Sequence, residues 1–385
     1  MAMKRCQNIC IFPCMALFFG CAVFHDLFQG FNVSIKSTAL NSEHNSSRFW
    51  DPEGASACLL VKDAVNELPE WLAYHYHFLP LRYVIVLVDP TSVMNHTDVL
   101  SKFNRSLNEG RLTVIEWGRK EVNVRPVPIS ANAAEMTAKQ HLAHRQRQVI
   151  FISRCVEKMK QVDRTWFFLH DVDEYVTVNK GATRMNHGDV GKLPPYTISD
   201  NSDMYSHTML QEIEDSGAPL PKENDVCFPV PRLRFGALES PKSSDPSITI
   251  NGISIEKNKF WTHRFNHHAQ PGKFEHNFHV KSVVHASNFE GDVDNVYDPH
   301  VPFQYDGCNF STYDDENYRK SPLIIRHYTG ARASYLSHTR VTKGVAKFDT
   351  SRHVSHGYDK MYPWIKDFIS IHGEQTVSSL FSTLQ

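Results

Sequence analysis

The feature that most constrains the fold is an apolar run that ends in two acids one residue apart. Residues 166–170 read Trp-Phe-Phe-Leu-His, and Asp171, Val172 and Asp173 follow directly. An uninterrupted apolar run of this length predicts a strand buried on both faces, as in the parallel sheet of an α/β domain. Open α/β sheets bind ligands at the carboxyl ends of their strands, where these acids fall. The two carboxylates fit a site for a hard divalent cation, and they fit a solvated turn equally well.

Strand and helix patterns alternate before this run. Apolar runs of strand length and helix-like patterns follow one another in the order β-α-β-α-β-α-β, with strands near 57–61, 83–88, 112–115 and 166–170 and helices near 67–78, 98–108 and 135–162. This order predicts a largely parallel sheet with crossover helices. Asp63, Asp89 and Asp171 each follow a predicted strand, so we expect three acids along one edge of the sheet. Glycine-rich phosphate loops and G-x-S-x-G are missing from this half of the sequence, which argues against Rossmann dehydrogenases, P-loop enzymes and α/β serine hydrolases.

The first 28 residues have the pattern of a targeting segment. Lys4 and Arg5 precede an apolar stretch from Ile9 to Phe24, which fits either a short signal-anchor or a signal peptide that is cleaved. Positive charge before the span would direct the rest of the chain into the lumen of the secretory pathway. Residues 29–54 are polar and aperiodic, as expected of a flexible stem. We predict a main domain over 55–350 and a helical C-terminal extension over 351–385.

Sequons and cysteines agree with a luminal domain. Asparagine occurs in the pattern N-x-Ser/Thr at five positions, namely Asn32, Asn45, Asn95, Asn104 and Asn309. Four of the eight cysteines lie in the predicted luminal domain, where they allow two disulfides in three connectivities: Cys58, Cys155, Cys227 and Cys308. The net charge of −1 gives no indication of a nucleic-acid partner. The 22 histidines lack the tight spacing of a zinc site, and most are expected to be polar loop residues.

Several short motifs, taken in order, resemble glycosyltransferase family 92 and its family 2-like relatives of the GT-A fold. With gaps they cover about residues 57–344, and they are Lys62-Asp63 with Glu67, Glu70 to His75, Gln148 with Cys155, Trp166 to Tyr175, Pro231-Arg232, Phe235-Gly236, Lys281 to Val284 and Arg326 to Gly330. The resemblance implies an α/β fold of the GT-A type, with one catalytic domain behind an N-terminal anchor. It further implies a type II membrane protein of the Golgi, or a secreted one if the segment is cleaved.

The same resemblance implies a hexosyltransferase that uses a nucleotide sugar, often UDP-galactose, and inverts the sugar's configuration. The acceptor would be a glycan or a glycoprotein. Asp171, Asp173 and His327 would be the metal ligands, and Mn²⁺ (or Mg²⁺) would bridge the donor's phosphates. Imidazole suits Mn²⁺ better than Mg²⁺.

Further site residues follow from the resemblance and from the chemistry of inversion. The positions expected at the nucleotide end of the site are Lys62, Asp63, Glu67 and Asp89, with Asp171 shared between nucleotide and metal. Inversion needs a carboxylate as general base near the acceptor hydroxyl. Glu239 is the candidate for this role, and it competes with Glu174, Asp292 and Asp306.

Structural roles for these residues and other functions for the chain remain open. Lys62 and Glu67 could form an exposed ion pair at the start of a helix, and Asp89 before Pro90 could be a turn residue. The whole chain could also be a luminal carbohydrate-binding protein that keeps the fold without the catalysis. A metal-dependent hydrolase is a third interpretation, but it predicts spacing such as H-E-x-x-H, which the sequence does not contain.

Overall fold

The computed structural model describes residues 54–107, 112–122, 133–179, 221–222, 224–235, 246–266, 268, 280–289, 321–328 and 364–382. The predicted anchor over 1–28, the stem up to residue 53 and Glu239 lie outside these ranges, as do Asp292 and Asp306. Within them, no helix combines the length and apolar character needed to span a bilayer.

The described residues form eleven strands and seven α-helices. In chain order these are β1 (Ala55–Val61), α1 (Leu68–Phe78), β2 (Leu81–Val88), α2 (Thr97–Ser106), β3 (Thr113–Trp117), α3 (Arg119–Val122), α4 (Ala133–Gln161), β4 (Trp166–Asp171), β5 (Glu174–Val178), β6 (Cys227–Val230), β7 (Arg232–Phe235), β8 (Ser247–Ile250), β9 (Ile253–Glu256), α5 (Trp261–Arg264), β10 (Lys281–His285), β11 (Leu323–Tyr328), α6 (Trp364–His372) and α7 (Glu374–Leu380). A short 3₁₀ helix, Lys257–Lys259, precedes α5.

The central sheet has six strands in the order β3-β2-β1-β4-β10-β6. Strands β1 to β4 run parallel, whereas β10 is antiparallel to both of its neighbours. The predicted α/β architecture with a mostly parallel sheet is thereby confirmed. In the register of the sheet, Leu60 pairs with Asp171 and Val61 with Val88. These strands end level with one another. The same edge of the sheet therefore carries Asp171, the last residue of β4, together with Asp63 and Asp89, which come just after β1 and β2.

The sheet is buried on both faces, which explains why its strands have continuous apolar sequences. Successive side chains of a strand point to opposite faces. Thus Leu59 and Phe168 pack into one core cluster with Trp71 of α1, and Phe167 packs into a second cluster with Ile152 of α4. All five side chains are at most 5% exposed. Full burial of each such side chain contributes about 1.5–3 kcal/mol.

A second sheet of three strands has the order β5-β11-β7. It adjoins residues 171–174, which join β4 to β5 and are called the acidic turn below. Strand β11 is antiparallel to β5 and parallel to β7. Two long apolar segments of the sequence divide between the sheets: β4 continues into β5, and β6 into β7. Pro231 separates the latter pair, and its carbonyl accepts a hydrogen bond from the Ile325 amide at 2.8 Å. Where the sequence indicates one strand interrupted by proline, the structure has two strands in different sheets.

Part of the predicted polar loop over 240–278 is ordered as the β8–β9 hairpin and α5. The buried Glu70 carboxylate of α1 anchors α5 because it accepts hydrogen bonds from the Trp261 amide at 2.7 Å and from the Thr262 amide and hydroxyl at 3.0 and 2.6 Å. The Thr262 hydroxyl in turn accepts a hydrogen bond from the Trp364 indole at 3.2 Å. Helices α6 and α7 pack their apolar residues into the same core as α1.

A disulfide between Cys58 and Cys155 joins β1 to α4. The sequence leaves three connectivities open, and this bond selects one pair directly. Cys227 is disulfide-bonded as well. Both cysteines of the first pair are at most 1% exposed and lie in the core cluster beneath α4.

Removal of this disulfide should destabilise the protein substantially. The bond closes a loop over a sequence separation of 97 residues, and loss of such a constraint frees the unfolded chain. We expect Cys58→Ala/Cys155→Ala to lower the free energy of unfolding by about 3 kcal/mol. Urea denaturation under non-reducing conditions would measure this change. An unchanged midpoint would show that the bond does not contribute to stability.

Buried His75 connects α1 to β5 and gives stability a dependence on pH. Its Nδ1–H donates to the Trp71 carbonyl at 2.8 Å, and its Nε2 accepts from the Val176 amide at 3.2 Å, so the ring is neutral. Burial lowers the pKa of His75 from 6.5 to about 3. Below pH 6.5 this histidine is therefore protonated in the unfolded state but remains neutral in the folded state. The stability that is present above pH 6.5 is lost as the pH falls towards the pKa of the folded state.

Because of His75, we expect the free energy of unfolding to fall by about 2 kcal/mol as the pH is lowered from 6.5 to 4.5. Urea denaturation at several pH values would measure the slope for the wild type and for His75→Gln, which has no titrating group. In the variant, the slope of the free energy of unfolding against pH should be smaller by the contribution of about one bound proton. Parallel curves for the two proteins would contradict the assignment.

Candidate metal centre

The acidic turn between β4 and β5 is where the two sheets meet. Its backbone is held by β11, since the Tyr328 amide donates to the Asp173 carbonyl at 2.8 Å. Strand pairing sets His327 opposite Glu174 on one side and opposite Arg234 on the other. The topology of the small sheet therefore brings His327 to acids that precede it by more than 150 residues.

Asp173 and His327 form the centre of the site. The His327 Nε2 lies 3.1 Å from Asp173 Oδ2. The other carboxylate oxygen, Asp173 Oδ1, is buried, and none of the described residues donates a hydrogen bond to it. Burial, together with the charge of the neighbouring Asp171, raises the pKa of Asp173 to about 7. The site thus contains a carboxylate oxygen that is removed from water and has no donor among the described residues.

The imidazole of His327 is neutral. Burial and the charges of Arg232 and Arg234 hold the pKa of His327 well below its usual range. Its Nδ1 lies 3.3 Å from the Arg232 guanidinium and 4.0 Å from Glu174 Oε1. A neutral imidazole is the form that ligates metals, and ligating histidines usually bond their second nitrogen to a carboxylate or carbonyl. In this site the second nitrogen, Nδ1, faces the Arg232 guanidinium, and Glu174 Oε1 lies beyond hydrogen-bond distance of it.

Glu174 itself is fully buried and is compensated by two cations. Its Oε1 accepts from Arg232 at 3.1 Å, and its Oε2 lies 3.2 Å from the Lys281 ammonium. The same Oε2 accepts a hydrogen bond from the Asp171 amide at 3.1 Å. Arg232 and Lys281 are each only 2% exposed. Glu174 therefore fastens the acidic turn to β7 and β10.

Asp171 bonds to a protein cation. Its Oδ2 lies 2.7 Å from Lys281 Nζ, while about one third of the side chain is exposed. In the described part of the chain, a group that could hold a metal ion consists of Asp173, Glu174 and His327, whose ligand atoms all lie within 4.8 Å of one another. Asp173 and His327 are in this group, as the resemblance implies. Glu174 is the third member of this group, and Asp171 is not in it.

A divalent cation fits this group. Two carboxylates and one imidazole form a donor set that suits Mn²⁺, and the buried Asp173 Oδ1 has no donor among the described residues. Such a cation would also offset the repulsion between Asp171 and Asp173.

Asp89 lies at the same edge of the sheet but is engaged by α4. The Arg147 guanidinium and His144 Nδ1 each contact Asp89 Oδ2 at 3.0 Å, and the Thr91 amide and hydroxyl donate to Oδ1. Although burial favours the neutral acid, the hydrogen bonds from His144 and Thr91 and the charge of Arg147 hold the pKa of Asp89 below its usual range. Asp89 thus joins β2 to α4.

The other residues expected at the nucleotide end have separate surroundings. Asp63 has a positive φ of 50° and organises the loop after β2, because its Oδ1 accepts from the Ser92 hydroxyl and from the Val93 and Met94 amides. Lys62 is exposed at the end of β1. Glu67 is half-buried and stands immediately before α1.

Arg232 and Lys281 belong to the site, although no role was predicted for them from the sequence. Both stand at the first position of a short strand that contains two apolar residues, and a charged residue beside such a segment is seldom buried without a partner of opposite charge. A charged residue in such a strand therefore indicates that a buried ion pair forms, but the sequence does not show which acidic residue is its partner. Comparison of the chain with protein-family models and with curated proteins finds no match in either case.

Proposed function

We propose that the protein is a metal-dependent glycosyltransferase that moves a hexose from a nucleotide-sugar donor, such as a UDP-sugar, to a glycan or glycoprotein acceptor. The observation that carries this proposal is the buried oxygen Asp173 Oδ1, without a donor among the described residues, beside neutral His327. This pair lies at the carboxyl edge of a mostly parallel sheet, where such folds bind ligands. The order of the sequence motifs that resemble family 92 supports the same function.

In this proposal the residues of the acidic turn hold the donor diphosphate through a cation. Asp173, Glu174 and His327 would ligate it. When bound, the cation supplies Lewis-acid stabilisation of the leaving nucleoside diphosphate. Exposed Lys62 at the end of β1 is available to a phosphate from the same edge. Inversion requires a general base for the acceptor hydroxyl, and Glu239 is proposed for that role.

The location proposed for this activity is the lumen of the Golgi, with residues 1–28 as the membrane anchor. The Cys58–Cys155 disulfide supports a secretory compartment, because such bonds persist under oxidising conditions. Asn95 and Asn104 are both exposed, as glycosylation at these sequons would require.

Turnover of UDP-sugars by the purified full-length chain tests the proposal. We expect release of UDP from UDP-galactose or another UDP-hexose in the presence of Mn²⁺, and loss of that activity on addition of EDTA. Restoration by excess Mn²⁺ would distinguish chelation from inactivation. UDP release that is insensitive to EDTA, or no release with any UDP-hexose, would contradict the proposal.

One observation favours a second candidate, a luminal carbohydrate-binding protein without catalysis. The Asp171 carboxylate is bonded to Lys281, so one acid of the pair is already neutralised. A binding protein would retain affinity for glycans and show no UDP release in the same assay.

A further inference from the structure

The Lys281 ammonium contacts two carboxylates of the acidic turn and would compete for them with a bound cation. It stands at the start of β10, next to β4, and its Nζ contacts Asp171 Oδ2 at 2.7 Å and Glu174 Oε2 at 3.2 Å. The side chain is 2% exposed, so water screens these contacts weakly. A lysine in this position carries one unit of charge to the two carboxylates that flank Asp173.

The charges of the whole cluster nearly cancel. Asp171, Asp173 and Glu174 face the buried cations of Arg232 and Lys281, and His327 is neutral. Arg234, on β7, adds a further positive charge near Asp173. A divalent cation that entered alone would therefore meet little net negative charge, and it would approach Glu174 against the charge of the Lys281 ammonium. A diphosphate brings the negative charge that the cluster lacks.

We propose that Lys281 is a positioning residue that holds Asp171 in the cation-free protein and makes cation binding depend on the diphosphate of the donor. This inference rests on the proposed function. With the diphosphate present, Lys281 can remain on Glu174 while the cation takes its other ligands from the phosphates. The lysine thus selects the cation–nucleotide complex over the free cation.

Mn²⁺ binding to the full-length chain, measured by electron paramagnetic resonance of the free ion, tests this inference. UDP is the nucleotide probe, and each protein is titrated with Mn²⁺ alone and with UDP present. After correction for the Mn²⁺ that UDP binds in solution, we expect the wild type to bind Mn²⁺ at least about tenfold more tightly with UDP than without it. Lys281→Met should bind Mn²⁺ alone about tenfold more tightly than the wild type and lose most of the enhancement by UDP, because the positive charge beside Asp171 and Glu174 is removed.

Lys281→Arg is the matched control, because it keeps the charge and should retain the wild-type pattern. Lys281→Gln also removes the positive charge, should behave as Lys281→Met, and replaces it if the methionine variant does not fold. A neutral variant with wild-type Mn²⁺ affinity and wild-type enhancement by UDP would overturn the inference and leave the proposed function standing. Absence of Mn²⁺ binding in every protein, with or without UDP, would overturn both.

Discussion

Replacement of Asp173 by asparagine should lower Mn²⁺-dependent release of UDP from a UDP-sugar about 1,000-fold in kcat/KM. The amide keeps the volume of the side chain and removes the charge of the one carboxylate oxygen that is buried with no donor among the described residues. Loss of a ligand that helps to stabilise the leaving diphosphate costs several kcal/mol, and a factor of 1,000 corresponds to about 4 kcal/mol. Steady-state kinetics at saturating Mn²⁺ would measure the loss.

The stability of this variant separates chemistry from folding. The asparagine amide carries no charge to desolvate, so we expect a melting temperature equal to or above that of the wild type. Asp163→Asn is a matched control, because Asp163 is exposed and precedes β4 at the opposite end of the strand. It should retain wild-type kinetics. Equal activity of Asp173→Asn and the wild type would show that Asp173 does not serve the reaction.

Replacement of Arg232 by methionine should destabilise the fold by about 3–5 kcal/mol. The change leaves the fully buried Glu174 carboxylate without its 3.1 Å partner and also removes the contact at 3.3 Å to His327. Methionine is similar in volume, so the effect reports the lost charge and not a cavity. Urea denaturation would measure it as a lower midpoint with little change in slope.

Two further variants locate the cause of that effect. Glu174→Gln combined with Arg232→Met removes both charges, and we expect it to recover part of the stability that Arg232→Met loses. Arg154→Met breaks the exposed Arg154–Glu157 pair on α4 and should cost less than about 1 kcal/mol. If Arg232→Met cost no more than this surface variant, the buried pair would not hold the acidic turn in place.

The central sheet could be predicted from the sequence because its signals are local. Continuous apolar runs mark β1, β2 and β4, and the helical period marks α1 and the part of α4 around Ile152 and Cys155. The order of these elements limits the sheet to a few topologies, and the carboxyl ends of its strands gather the acids at one edge. The helix predicted near 135–162 is the single element α4.

The small sheet and the ion pairs around the turn could not be predicted in this way. Strand β5 continues the sequence of β4, yet it pairs with β11, which follows about 150 residues later. Lys281 and Arg232 meet Glu174 only because β10 and β7 approach the turn from two different sheets. Whether a carboxylate binds a ligand or another side chain depends on such pairings. Asp89 shows this, since its partners His144 and Arg147 come from α4.

Crystals of the full-length chain soaked with Mn²⁺ and UDP give the most direct test of the proposed metal centre. Anomalous diffraction from manganese would locate the ion independently of any assumption about its ligands. We expect one peak within bonding distance of Asp173 and His327 Nε2, with the UDP phosphates completing its coordination. A peak elsewhere in the chain, or ordered UDP at this edge with no manganese between it and Asp173, would contradict the proposed centre.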